Sequence, residues 1–397
     1  MERRQSIILY ILMFNMFITM GGLGIIVPVM PAYLEKFQAG GQIYGFLIAT
    51  FSFAQFIFSP IIGNYSDRLG RKIFIVIGLV IYGSGQILFG LAHEIWILFV
   101  ARFLNGLGAA FVMPTILAYV GDITTVEQRG KGMSLIGASI SFGFTIGPAI
   151  GGLLSSVNLT FPFFCAGVIS ILSALLSFTL LPDIKTASFV QRRRESLVKQ
   201  MFSSTKLTYF IYLIVVFTFS FGIANYQATL SLYLNDKFQY TPLVMSLIFT
   251  VGGLAGVILQ LFFIEKLFSY FGEIKMIIVN LFIASVTLLL LIYVSGYFLI
   301  VLVAALNTIA ATLIRPAVNT VISKMAGSEQ GFAAGLNNAY MSLGNLFGPI
   351  CAGTLYDWHM DSPYIFGTCV LMACCILVFT WSVKNNKRTY LESSKIS

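Results

Sequence analysis

The chain is 397 residues long, 58% hydrophobic and only 10% charged, with a mean hydropathy of +0.90 and 37 Phe. Soluble globular domains carry about 25% charged residues, so a water-soluble fold is excluded and lipid is the expected solvent. The net charge of +9 does not imply nucleic acid, because nearly all basic residues sit in the connectors between apolar runs, where membrane topology accounts for them.

Apolar runs lie near 7–34, 43–63, 73–92, 95–120, 133–156, 161–181, 207–234, 243–264, 275–295, 297–322, 331–355 and 362–383. Each is about 20 residues or longer, enough to cross a hydrocarbon core of ~30 Å. Helices are expected because unpaired sheet edges cannot be satisfied in lipid. The result is an all-α membrane protein with twelve transmembrane helices. The first run exceeds the apolar core of about 7 to 15 residues in a signal peptide and is expected to be an uncleaved anchor. With both termini cytoplasmic, only Lys36 and Lys237 among the 24 Lys and Arg fall outside, Arg102 and Arg315 fall within spans, and the rest lie inside. That asymmetry fixes the orientation and places the chain in the cell membrane.

Between spans 2 and 3, the segment GNYSDRLGRK holds Gly63, Asp67, Arg68, Gly70, Arg71 and Lys72. Glycines permit a tight turn, and the charges can pair at the membrane surface. Arg102 and Arg315 are the two ionisable residues deep in the membrane, where a charge is costly unless paired or hydrated and so defaults to function. Gln55, Asn105, Asn337, Asn338 and Asn345 add neutral polar groups that either line a cavity or tie helices together.

Span 5 carries Gly143, Gly147, Pro148, Gly151 and Gly152 in the pattern Gly-x-x-x-Gly-Pro-x-x-Gly-Gly. Small residues four apart make a flat face for close helix packing, and neighbours can satisfy the carbonyl freed by Pro. Gly252, Gly253 and Gly256 on span 8 are expected to supply the facing surface. Residues 182–206 form the longest polar stretch, expected to be a cytoplasmic linker with some affinity for anionic headgroups. It divides the chain into an N-terminal bundle, 1–181, and a C-terminal bundle, 207–384, followed by a cytoplasmic tail, 385–397.

The halves repeat. SFGFTIGPAIGG at Ser141–Gly152 recurs as SLGNLFGPICAG at Ser342–Gly353, and Leu104-Asn105, Pro114 and Glu127-Gln128 recur 202 residues later as Leu306-Asn307, Pro316 and Glu329-Gln330. Two similarly folded six-helix bundles are expected, with a substrate path near the bilayer midplane between them and transport by rocking of one half on the other. The five Cys lie in apolar segments without metal-ligand spacing and are expected to be packing residues. Asn158-Leu-Thr160 is a weak match to a glycosylation sequon. His93 and His359 fall in outer loops, and His-Glu-x-x-His, Gly-x-Ser-x-Gly and a Walker loop do not occur, so neither catalysis nor ATP hydrolysis is expected.

The pattern Gly-x-x-x-Asp-Arg-x-Gly-Arg-Lys resembles the loop 2-3 signature of the major facilitator superfamily, and the span 5 pattern resembles the antiporter motif of its exporters. Over nearly its full length the sequence is similar to the twelve-helix drug:proton antiporters of Gram-positive bacteria, through IIVPVMPAYL, FSPIIGNYSDRLGRK, AYVGDITT, IRPAV and MAGSEQGFAAGLNNAYMSLGNLFGP. The resemblance implies the major facilitator superfamily fold and multidrug efflux: export of amphipathic, often cationic small molecules by a monomer with no bound cofactor, driven by the transmembrane proton gradient. It also implies that residues 63–72 lock the cytoplasmic gate, with Asp122 at the end of span 4 as their partner from the next hairpin, and that Arg102 matches a span 4 arginine associated with proton transfer. Gln55, Arg102, Asn105, Phe144, Tyr226, Gln227, Thr312, Arg315 and Asn345 are the expected substrate-binding residues.

Two departures matter. Where the group has Glu in span 7 this chain has Gln227, within Tyr226-Gln227-Ala228, and where it has Asp in span 10 this chain has Thr312. No Asp or Glu lies mid-span, so no carboxylate there can be brought by desolvation to trade a proton for a cation. A neutral to positive cavity is expected, suited to anionic, zwitterionic or neutral amphiphiles, with Gln227→Glu strengthening proton-dependent cation export. Coupling, if present, is expected to use a boundary acid such as Asp122 or Glu35, or to be weak. The alternatives are an uncoupled facilitator or uptake carrier for a neutral or anionic metabolite, and a membrane sensor that binds ligand without moving it.

Overall fold

The computed structural model describes residues 3–183, 204–205, 207–326 and 330–393, and within them it leaves undescribed the side chains of 3–4, 67–68, 126–127, 265, 330–331 and 385–393. Most of the linker expected at 182–206, the last residues of the tail and the side chains of Asp67 and Arg68 thus lie outside the described residues.

Thirteen helices run through the described residues, with no strand among them: Arg3–Glu35 (α1), Gly41–Leu69 (α2), Arg71–Gly90 (α3), Ile95–Ile123 (α4), Val126–Ser155 (α5), Phe161–Leu180 (α6), Phe210–Phe238 (α7), Pro242–Phe262 (α8), Ile264–Phe271 (α9), Glu273–Tyr293 (α10), Tyr297–Ala326 (α11), Gln330–Trp358 (α12) and Ser362–Ser393 (α13). Eleven contain stretches long and apolar enough to cross a membrane. The twelfth expected span is α12, which at 29 residues is equally long but diluted by Asn337, Asn338 and Asn345. The eight-residue α9 is the one helix here too short to span. Prolines sit inside α1, α2, α4, α5, α11 and α12, a load that lipid-embedded helices tolerate because neighbours satisfy the freed carbonyls.

Lipid rather than water sets which face turns inward. Helix α6 buries Ser170, Ser173, Ala174 and Ser177 and exposes Leu172, Leu175 and Phe178 by more than half, the reverse of a soluble amphipathic helix. With no hydrophobic drive between helices in lipid, small side chains and hydrogen bonds hold the bundle. Ser173 Oγ donates to Asn15 Oδ1 at 2.6 Å, Asn15 Nδ2 donates to Ser177 Oγ at 2.8 Å and Ser170 Oγ donates to the Leu79 carbonyl at 2.8 Å. Around these bonds Leu12, Met16, Ile75, Leu79, Val112, Ile116 and Ile136 form an apolar core.

Contacts divide the structure into two compact units, one from the described parts of 1–193 and 228–250 and the other from those of 194–227 and 251–397. In the first, α1 packs on α5 and α6, α3 on α4 and α6, and α2 on α4; in the second, α10 packs on α11 and α13.

The sequence repeat extends to individual bonds. Asn105 Nδ2 donates to the Tyr82 carbonyl at 2.9 Å, and 202 residues later Asn307 Nδ2 donates to the Ala284 carbonyl at 3.1 Å. Gly70, at φ +102°, separates α2 from α3, and its counterpart Gly272, at φ +75°, separates α9 from α10. Both need the left-handed region that glycine enters without steric cost. Arg71 pairs with Asp122, while their counterparts Glu273 and Lys324 pair with the charges reversed.

Candidate functional site

At the α2–α3 turn, Gly70 lets the chain reverse, and a Cβ there would strike Asp183 Oδ1. Arg71 then opens α3 as a buried residue. Its Nε donates to Asp122 Oδ2 at 2.9 Å and its Nη1 to Ser66 Oγ at 3.0 Å, while Ser66 Oγ donates to the Gly63 carbonyl at 2.9 Å. Lys72 Nζ lies 5.1 Å from the Phe178 ring centre. The structure therefore brings Gly63, Gly70, Arg71 and Asp122 into one cluster that fastens the α2–α3 turn to the end of α4. Charge-assisted hydrogen bonds of this kind are the stronger sort.

The glycines of α5 meet the backbone of α1. A Cβ on Gly143, Gly147 or Gly151 would come within 3 Å of the carbonyl oxygens of Phe17, Gly21 or Ile25 respectively, and Pro148 rests on Gly24. The facing surface is thus supplied by Gly21 and Gly24. Gly252 and Gly256 of α8, expected to face this stripe, instead meet Ala305, Thr308 and Thr312 of α11. Helix α8 does approach α5, but through Pro242 and Ser246 against Gly152. Spacing identifies a flat helix face without identifying its partner.

Arg102 lies seven residues into α4, about 10 Å from the Ile95 end at 1.5 Å per residue. It is only 4% exposed. Its Nε is enclosed without a hydrogen-bond partner, and among the described residues no carboxylate pairs with it. The guanidinium instead lies over the Phe89 ring, 5.2 Å from its centre. Phe89 is braced by Tyr33 and Phe163 with ring centres 5.6 and 5.0 Å away, and the Tyr33 hydroxyl donates to the Phe89 carbonyl at 2.8 Å. The hydroxyls of Tyr44 and Tyr82 are within electrostatic reach of Arg102, and Tyr44 lies against Ser231 of α7.

The polar groups around Arg102 are incompletely used. Tyr82 donates its hydroxyl to the Thr19 carbonyl at 2.9 Å, and Gln86 Nε2 donates to the Gly22 carbonyl at 3.3 Å and to the Tyr82 hydroxyl at 3.1 Å. Gln86 Oε1, Asn105 Oδ1 and Ser231 Oγ remain enclosed without partners. Each such group costs about 1–3 kcal/mol, and a buried charge without an ionic partner costs several more. A cation–π contact returns at most about 2 kcal/mol. Such a cluster suits a ligand more than a scaffold. Tyr44, Tyr82, Gln86 and Ser231 escaped the sequence reading because each looks like a packing residue on its own. The signal for Gln86 was an amide inside an apolar span, one helical turn from Tyr82.

Gln55 belongs to the same unit and donates to Met113 Sδ at 2.9 Å, and Phe144 is half-buried on α5. In the second unit, buried Tyr226 lies against Thr308, and Thr312 Oγ1 donates to the Thr308 carbonyl at 2.8 Å. Gln227 and Asn345 are half-buried, while Arg315 is exposed. The two mid-span arginines thus differ: Arg102 is enclosed, and Arg315 is accessible on its unit. The position 202 after Arg102 is Ala304, so the charge has no counterpart in the repeat. No cluster of His, Cys, Asp and Glu among the described residues is suited to a metal.

The profile of the Major Facilitator Superfamily matches residues 12–229 and 212–396. The chain is 36% identical over 395 residues to Multidrug resistance protein 2 of Bacillus subtilis, covering 98% of each chain. It is 37% identical to Multidrug resistance protein 1 of the same organism, with 95% of this chain and 97% of the other covered. Quinolone resistance protein NorA of Staphylococcus aureus is 34% identical, with 93% and 95% covered. Among solved structures, the nucleoside transporter NupG superposes with a TM-score of 0.79 at 13% identity, over 94% of this chain and 99% of the other. The human organic anion transporter MFSD10 superposes with a TM-score of 0.71 at 18% identity, over 95% and 100%. At such low identity the two structures speak for the fold alone.

Proposed function

The chain belongs to the major facilitator superfamily, and from that premise we propose that it is an efflux transporter. It exports amphipathic small molecules from the cytoplasm or inner leaflet by alternating access, as a monomer in the cell membrane with both termini in the cytoplasm. No covalent chemistry is involved, and the transmembrane proton gradient is the energy source. The observation that carries this reading is identity of 34–37% over nearly the whole chain to proteins named for multidrug and quinolone resistance. The α5 glycine face on α1 supports it, since close backbone packing lets helices shift as rigid units.

In this reading the Arg71–Asp122 cluster belongs to the cytoplasmic gate, and Gln55, Arg102, Asn105, Phe144, Tyr226, Gln227, Thr312, Arg315 and Asn345 line the path. Gln227 and Thr312 favour a second reading for some cargo, an uncoupled facilitator, because an amide and a hydroxyl do not titrate in the useful range. The test is reconstituted transport of a cationic, a zwitterionic and an anionic dye, each with and without a proton gradient. Accumulation of any of them in everted vesicles on acidifying the lumen supports export. Movement only down each dye's own gradient supports the facilitator, and no movement of any dye overturns both.

A further inference from the structure

Arg102 combines three properties seldom found together: it is 4% exposed, its Nε has no partner, and its guanidinium lies over the braced Phe89 ring, 5.2 Å from its centre. Among the described residues no acid neutralises it at depth. Each described Asp and Glu lies within a few residues of a helix end, in a connector or in the short α9. Beside the guanidinium stands the Tyr44 hydroxyl, and Ser231 of α7 lies against Tyr44 in turn. One fixed positive charge beside a rotatable hydroxyl donor is a recognition set for a single negative headgroup, a carboxylate or sulfonate, which a guanidinium can hold through paired N–H bonds.

We propose that Arg102 binds the headgroup of a monoanionic amphiphile, and that such cargo leaves the cell down the membrane potential with no proton carried by the protein. This rests on the alternating-access export reading above. A cell interior is negative, so one negative charge moving outward is driven without any titrating group. At equilibrium it accumulates about tenfold for each ~59 mV, hence about a hundredfold at ~120 mV. A cation moving outward works against the same field, needs protons in exchange, and meets no mid-span carboxylate able to release them. The lost acids and the retained arginine then have one explanation: the electrical part of the proton-motive gradient replaces its chemical part.

The test uses the full chain in proteoliposomes with dansyltaurine, a permanently monoanionic fluorescent sulfonate, beside ethidium as a permanent cation. Potassium diffusion potentials of zero, about 60 and about 120 mV are set with equal pH on both sides. A pH gradient of one unit is then applied with the potential clamped at zero. Dansyltaurine is expected to shift about tenfold per ~59 mV toward the positive side, to reverse with the sign of the potential and to ignore the pH gradient. Movement that follows the pH gradient and ignores the potential overturns the proposal while leaving export intact. Arg102→Gln is expected to lose dansyltaurine movement at least tenfold, with Arg102→Lys keeping part of it. Wild-type movement in a correctly eluting, helical Arg102→Gln overturns the assignment of the headgroup site. If Arg102→Gln does not fold, the comparison passes to Arg102→Lys, where unchanged apparent affinity for dansyltaurine counts against the site. If neither dye moves under any gradient, the export reading fails. Dansyltaurine binding to solubilised wild type, weakened at least tenfold in the variants, then decides the headgroup site alone, and unweakened binding overturns it.

Discussion

Arg71 is the residue whose environment is most fully specified: its side chain is 6% exposed, its partner Asp122 is 21% exposed, and Ser66 takes a second bond. Asp122→Asn should cost roughly 1–3 kcal/mol, the range for a charge-assisted hydrogen bond in a partly buried site, read as a lowered unfolding midpoint of the solubilised protein. Because Glu273 and Lys324 make the same link with reversed charges, Arg71→Glu combined with Asp122→Lys should recover more than half the loss of either single change. Asp122 was legible as a partner for the 63–72 cluster through the family resemblance, and the fold shows that within that cluster it takes Arg71. The difference between Arg102 and Arg315 was not legible. A hydropathy window reports depth along the membrane normal but not which way a side chain faces. That Arg102 is enclosed without a partner while Arg315 is exposed emerges only when helices are packed.

At the scale of helices, α5 and α1 are joined by backbone meeting backbone. Gly147→Val should push its new carbons against the Gly21 carbonyl, lower the unfolding midpoint and reduce dye export at least tenfold in reconstituted vesicles. Gly137→Ala, on the same helix but with open space where the Cβ would sit, should change stability by less than about 0.5 kcal/mol. The flat face was readable from spacing four apart, whereas its partner was not, since α1 and α8 both carry small residues and only the fold chooses between them. Apolar runs likewise located all twelve spans. The weakest is α12, because three asparagines lower its mean hydropathy below that of the other eleven.

For the whole molecule, the absence of mid-span acids decides what can be coupled to what. Gln227→Glu places a titratable carboxylate one residue after Tyr226 and should raise proton-dependent ethidium export severalfold in everted vesicles. An unchanged pH dependence would remove the argument that position 227 limits cation coupling. The repeat that made the architecture legible also contains its main departure, the substitution of Ala304 where the first half has Arg102, and no periodicity announces that asymmetry.

The reversed polarity of the paired clusters bears on how such a chain assembles. A chain of two repeated halves emerging from the ribosome offers each hairpin two similarly folded mates, its own and its twin's. With opposite signs in the two copies, an exchanged hairpin sets Arg71 against Lys324 or Glu273 against Asp122, and the mismatch repels. Self-matching is thereby written into four side chains, and giving both copies one polarity, by Glu273→Arg with Lys324→Asp, should raise the yield of misassembled, aggregating protein on expression.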